Sequence, residues 1–175
     1  MDFDLPEEHQ AFRDVGRMPI LEPAGTHGGD IGIGIVLQIG QGHEPMGQGY
    51  TSLLFLDEVT ALSAGHRPCF FCRRSHAQAF VRLSGMTTDA LDRVLQTERL
   101  PLAPRQMGEI NDLPDGAMIE VEGAPHAVRG ALLLRWSFAG YVDKKRKDTV
   151  TAAKLLTPPT IIAILARGYQ PRWHP

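Results

Sequence analysis

Apolar residues follow two different spacings along the chain. Side chains three or four positions apart indicate short amphipathic helices in four segments. The predicted helices are 58–64, 70–83, 89–98 and 158–166. Between 117 and 156, short apolar or alternating runs are separated by Gly123, Gly130 and Gly140, which is typical of antiparallel strands joined by tight turns. We therefore predict an α+β fold in which a four- or five-stranded antiparallel meander packs against several short helices.

Capping residues mark several of the predicted helix ends. Asp57 precedes the first helix and Gly65 follows it, as N-cap and C-terminal glycine do. Thr88 is expected to cap the third helix. Thr157 is expected to cap the last helix, with Pro158 in its first turn.

Length and composition favour one folded unit. The 175 residues are 43% hydrophobic, enough to bury a core without disulfides. We expect a single α+β domain over residues 50–175, preceded by a poorly determined segment, 1–49, with one strand within 31–39. No stretch approaches the ~18 consecutive apolar residues of a membrane span, and the first residues are acidic. The sequence thus predicts a cytoplasmic protein with no membrane partner.

The chemistry most strongly indicated is metal binding at the cysteines. Cys69 and Cys72 form a Cys-x-x-Cys turn where the second helix is expected to begin. This spacing lets both sulfurs face one point, which supplies half of a tetrahedral zinc site. The neighbouring Arg67, Arg73 and Arg74 would favour the thiolate forms that bind the ion.

Histidines are expected to complete the zinc site, because the chain has only two cysteines. His76 follows Cys72 by four positions, a spacing that places both on one face of a helix. His43 precedes Cys69 by 26 positions, in a loop that can fold back over the turn. The predicted ligands are therefore Cys69, Cys72, His43 and His76, and the predicted cofactor is zinc.

The residues around the turn resemble a known metal-binding domain. Residues 55–72, FLDEVTALSAGHRPCFFC, resemble the second half of the metal-binding domain of the Ada DNA-repair proteins. That resemblance implies zinc ligation by Cys69 and Cys72. In the Ada domain an upstream cysteine pair completes the site and accepts the methyl group. This chain has no such pair, so methyl transfer is not expected here.

A wider resemblance covers residues 50–175. The Gly-His-Arg-Pro-Cys turn, Leu134-Arg135-Trp136-Ser137 and the ending Trp173-His174-Pro175 look like those of an uncharacterised bacterial protein family. That family implies no activity for this chain.

Charge is unevenly distributed and suggests a second kind of partner. Residues 1–60 contain ten acids and two bases, whereas residues 129–175 contain nine bases and two acids. Lys144, Lys145, Arg146 and Lys147 are expected to form a basic loop that contacts a nucleic-acid backbone.

Two enzymatic functions are also compatible with the same Cys-x-x-Cys turn. A Cys-x-x-Cys at a helix start also serves thiol-disulfide oxidoreductases. A zinc ion with three protein ligands and an open position would serve a metal-dependent hydrolase. A plain interaction module without metal is the third alternative, so whether the chain is an enzyme is left undecided by its sequence.

Overall fold

The computed structural model describes residues 54–70, 73–99 and 106–175, together with the backbone of one short strand, Ile35–Val36. The helices are α1 (Glu58–Ser63), α2 (Arg74–Ser84), α3 (Thr88–Glu98) and α4 (Pro159–Ala166). The strands are β1 (Ile35–Val36), β2 (Leu54–Phe55), β3 (Met107–Glu109), β4 (Met118–Val121), β5 (Ala124–Arg129), β6 (Leu132–Ser137), β7 (Gly140–Arg146) and β8 (Ala152–Leu155). A 3-10 turn, Lys147–Thr149, joins β7 to β8.

Six strands form one antiparallel sheet in the order β3-β8-β4-β5-β6-β7. Strands β4 to β7 make the predicted meander, and β8 returns to pair with both β4 and β3. The α+β prediction is confirmed. The sheet is larger than the predicted four or five strands, because β3 lies in a Pro-rich stretch whose sequence carries no alternating apolar pattern. Strands β1 and β2 pair separately, with Ile35 opposite Phe55.

The helices pack on one another and against the sheet. Leu62 of α1, Phe80 of α2, Leu91 of α3 and Ile161 of α4 are fully buried together. Val59, also on α1, packs instead on sheet residues. The second cluster contains Leu56, Val59, Met118, Ala127, Trp136 and Leu156, and Trp173 packs against it. Helix α1 therefore lies between the other helices and the sheet.

Three predicted helix starts require correction. Helix α2 begins at Arg74 rather than residue 70, after Arg73, whose φ of −140° is not helical. Thr87 rather than Thr88 caps α3, its hydroxyl accepting a hydrogen bond from Ala90 N. Helix α4 begins at Pro159, with Pro158 rather than Thr157 at the N-cap position. The Thr157 hydroxyl does not cap the helix, because it accepts a hydrogen bond from the amide of Met118 on β4 at 2.8 Å.

The described helices are short. None of them is long and apolar enough to cross a membrane.

Candidate functional site

The Cys69 turn follows directly from the way α1 ends. Gly65 adopts the left-handed conformation, with φ +81°. Its amide donates to Leu62 O at 2.9 Å, and the next amide, of His66, donates to Ala61 O at 3.0 Å. This is the Schellman arrangement, which satisfies the last carbonyls of a helix and turns the chain sharply. The chain then runs through Pro68 to the cysteine.

Backbone hydrogen bonding closes the turn around the first cysteine. Arg73 N donates to Cys69 O at 2.8 Å, so the two ends of the loop 69–73 lie close together directly before α2. Cys69 is half-buried. Cys72 belongs to this loop and lies outside the described residues. Helix α2 begins at Arg74, and the shared helix face expected for Cys72 and His76 stays a prediction.

Two arginines, one at each end of this loop, form ion pairs with other helices, and we call these two ion pairs the double clamp. Before it, Arg67 Nε and Nη2 donate to the two carboxylate oxygens of Asp92 on α3, at 2.6 and 2.8 Å. After it, Arg73 Nη1 lies 2.8 Å from Glu58 Oε2 in a buried ion pair. The loop is thereby fixed to α1 and α3 while α2 continues from it.

The charge of Arg67 acts on the cysteine as well. Its hydrogen bond to Asp92 raises the pKa of Arg67, and the negative charge of Cys69 in its thiolate form contributes in the same direction. By reciprocity, the guanidinium stabilises that thiolate. Thiolate is the form of a cysteine that binds a metal or reacts, so Arg67 contributes to either use of Cys69.

Of the remaining predicted ligands, only His76 lies within the described residues. His76 is exposed on α2, its Nδ1 3.3 Å from Ser75 Oγ. Within residues 54–70, 73–99 and 106–175, no three His, Cys, Asp or Glu side chains are arranged to hold a metal ion. His43 and Cys72 lie outside those residues, so the predicted four-ligand set stays a prediction.

The predicted basic loop is not a loop. Lys144, Lys145 and Arg146 belong to strand β7, and Lys147 begins the 3-10 turn. They form part of a strand because β6 continues opposite them, with Leu134 paired to Lys144 and Leu132 to Arg146.

Alternation along β7 separates these charges onto two faces of the sheet. Lys145 lies 3.4 Å from Glu122, and Lys147 Nζ donates to the carbonyls of Asn111 and Leu113. Lys144 and Arg146 point to the opposite face, where the strand register also places Arg129. Arg146 is paired with the exposed Asp148.

An aromatic pair completes the face that carries Arg129. The Arg129 guanidinium lies over the Trp173 ring, 4.9 Å from its centroid, and that ring lies 5.7 Å from Tyr141. Neither Arg129 nor Trp173 was predicted to belong to this surface. Side chains alternate between the two faces of a strand, but that alternation does not show which residues of neighbouring strands share a face. The β5–β6 register, in which Arg129 is opposite Leu132, is needed to place Arg129 on the face of Arg146.

A network of buried carboxylates was also missed. Asp57 caps α1 as predicted, accepting from Thr60 N at 2.8 Å, but its second oxygen accepts from the Tyr141 hydroxyl and from His174 N. Glu58 accepts from the Tyr169 hydroxyl at 2.6 Å and from Arg172 N at 2.8 Å. The cap was recognisable from Asp57 before a helix; the partners were not, because they lie more than 80 residues away.

These interactions hold the two tyrosines protonated. Burial, followed by the charge of Asp57, raises the pKa of Tyr141 far above its usual range. Burial and the hydrogen bond to Glu58 do the same to the pKa of Tyr169. Both hydroxyls therefore act as hydrogen-bond donors, and the network fixes the segment 169–174 to α1.

The chain was compared with protein-family models, with curated proteins and with solved structures, and none of the three comparisons gave a match.

Proposed function

We propose that this chain is a cytoplasmic zinc-binding protein whose metal is held at the Cys69–Cys72 turn. The observation that supports it most directly is the double clamp on the loop: Arg67 to Asp92 on one side and Arg73 to Glu58 on the other. A metal site gains affinity when its ligands are already held in place. The two ion pairs hold the residues on either side of the Cys69–Cys72 segment.

Charge near the turn supports the same proposal. Thiolate is the form that ligates zinc, and Arg67 stabilises thiolate at Cys69. Two sulfurs leave two positions of a tetrahedron to fill, for which His43 and His76 are the histidines to test. Four protein ligands make a structural site, whereas three with a bound water make the hydrolase alternative.

Metal content tests the proposal. We expect one zinc per chain in protein purified without added metal, measured by plasma mass spectrometry, and none in Cys69→Ser/Cys72→Ser. Removal of a true histidine ligand, by His43→Asn or His76→Asn, should weaken zinc binding by about ten-fold or more, while the matched His9→Asn should leave it unchanged. Absence of stoichiometric zinc would refute the proposal, and a reversible disulfide between the cysteines in its place would favour the oxidoreductase.

We propose nucleic-acid binding as a second function, through the sheet face that carries Arg129, Lys144 and Arg146. Its support is the register, which aligns three cations on one face of β5, β6 and β7 next to the Trp173 ring. Cations contribute phosphate contacts and aromatic rings contribute base stacking in proteins that bind single strands.

The opposite face of the same strands provides a control for this second function. Binding of a random 20-nucleotide single strand is measured by fluorescence anisotropy at several salt concentrations. The logarithm of the affinity should fall by about 0.7 per phosphate contact for each ten-fold increase in salt. Arg129→Gln/Lys144→Gln/Arg146→Gln should flatten that slope, whereas Arg135→Gln/Lys145→Gln on the other face should not. Equal slopes in the two variants, or no binding, would exclude this surface.

A further inference from the structure

A groove of about 960 Å³ lies between the Cys69 turn and helix α3. One wall is formed by residues 65–70. The other is the exposed side of α3, where Asp92, Gln96 and Arg99 follow one another at helical spacing. The volume is that of a site for a small organic molecule rather than for a single ion.

The charge of this groove is positive. Arg67, Arg93 and Arg99 line it with Asp92 as the carboxylate. Both oxygens of Asp92 accept from Arg67, which also lies 5.1 Å over the Phe70 ring. In the described structure neither Arg93 nor Arg99 forms an ion pair with a carboxylate. The guanidinium groups of Arg93 and Arg99 are therefore available to an incoming anion.

Arg99 is held in place, although its partners are neutral. Its Nη2 donates to Gln96 Oε1, and its Nη1 lies 3.5 Å from His66 Nδ1. A Cβ built on Gly65 would lie 2.9 Å from Arg99 Cβ, so the turn packs directly on the arginine. Burial, and then the charge of Arg99, lowers the pKa of His66 to about 4, so the imidazole is uncharged at neutral pH.

We propose that this groove binds a phosphate monoester, whose oxygens are held by Arg99 and Arg93. The guanidinium fork matches phosphate oxygens geometrically, and a dianionic phosphate balances both charges. The groove is larger than a phosphate, and the Phe70 ring and Leu95 provide apolar surface for the organic part of the ester. Cys69 also lines the groove, but neither arginine is a proposed zinc ligand, so variants of the arginines test this site separately from the metal.

Binding can be measured by isothermal titration calorimetry with five probes. They are inorganic phosphate, AMP, adenosine, and a short oligonucleotide with or without a 5′-phosphate. We expect AMP, the 5′-phosphorylated oligonucleotide or both to bind, and adenosine and the unphosphorylated oligonucleotide not to bind at this site. AMP binding identifies a free metabolite as the source of the phosphate, and binding of the oligonucleotide alone identifies a nucleic-acid end.

Variants locate the site and separate binding from folding. Arg99→Gln should weaken binding of the phosphorylated probe about ten-fold or more, and Arg93→Gln/Arg99→Gln further. Arg99→Lys keeps the charge and should restore part of the affinity. Arg82→Gln, on the exposed side of α2 outside the groove, is the matched control. The proposal is overturned by equal binding of adenosine and AMP, by binding of inorganic phosphate alone, by no binding of any probe, or by unchanged affinity in the double variant.

Discussion

The hydroxyl of Tyr141 on β7 donates a 2.8 Å hydrogen bond to Asp57, the residue that caps helix α1. The two residues are 84 positions apart in sequence. The same carboxylate accepts from Thr60 and from the backbone of His174. One buried side chain thus connects the edge of the sheet, the first described helix and the segment 169–174.

Replacing Tyr141 by Phe should lower the free energy of unfolding by about 2 kcal/mol, because it removes a hydrogen bond to a buried, charged acceptor. Urea denaturation monitored by circular dichroism measures this change. Phe138→Leu, at a half-exposed position of the same hairpin, serves as the control and should cost less. A Tyr141→Phe protein as stable as the parent would show that water replaces the hydroxyl at Asp57.

Replacing Glu58 by Gln should be more costly, about 3–5 kcal/mol, because it leaves the Arg73 guanidinium buried without its counter-charge. Glu122→Gln breaks the ion pair with Lys145, in which the Glu122 side chain is 84% exposed, and should cost less than about 1 kcal/mol. Both are measured by chemical denaturation. Similar losses in the two variants would contradict the contribution assigned to burial.

Gly65→Ala and Gly85→Ala form a second matched pair. Both glycines have positive φ, +81° and +73°, so alanine is strained at either position by about 1 kcal/mol. At Gly85 the added methyl group meets open space, whereas at Gly65 it would lie 2.9 Å from Arg99 Cβ. We expect Gly65→Ala to unfold at a lower temperature than Gly85→Ala in differential scanning calorimetry. The opposite order would contradict the packing of the turn on α3.

Stability should fall as the pH is lowered from about 6.5 to about 4, partly because of His66. In the unfolded chain this histidine has an ordinary pKa, 6.5, and in the folded protein the pKa is about 4. The unfolded state therefore binds more protons within that window, which favours unfolding by up to about 3 kcal/mol at the acid end. Above pH 6.5 this contribution is fully present as stability.

His66→Gln should remove this part of the pH dependence. The measurement is urea denaturation at several pH values with a chelator present, so that metal release does not contribute. The exposed His76→Gln is the control and should retain the slope of the parent. If the slopes of the parent and His66→Gln coincide between pH 4 and 6.5, the imidazole is not held neutral by the fold.

The sequence predicted the local features of the fold better than its long-range contacts. Helix α1 was predicted within one residue, because Asp57 and Gly65 act on their immediate neighbours. Thr157 was assigned as an N-cap from the same kind of signal, and was wrong because Met118 N, 39 positions away, binds its hydroxyl instead. A local sequence pattern cannot show that a distant backbone amide binds the hydroxyl of the capping residue.

The same limit applies to the candidate site. The cysteine spacing indicated this turn as the candidate site, but Asp92 and Glu58, which pair with its arginines, come from two other helices. The four bases of 144–147 were recognised as one group from their order in sequence. The sheet separates them onto two faces, because alternation is a property of the strand and not of the composition.

The anchoring of residues 169–174 on α1 has a consequence for synthesis of the chain. The hydroxyl that satisfies Glu58 belongs to a residue 111 positions later, and the amide that satisfies Asp57 comes 117 positions later. At roughly 5–20 residues per second, a ribosome needs on the order of ten seconds to add them. Through that interval both carboxylates lack part of their hydrogen-bond partners, so α1 completes its native contacts only after residues 169–174 have been synthesised.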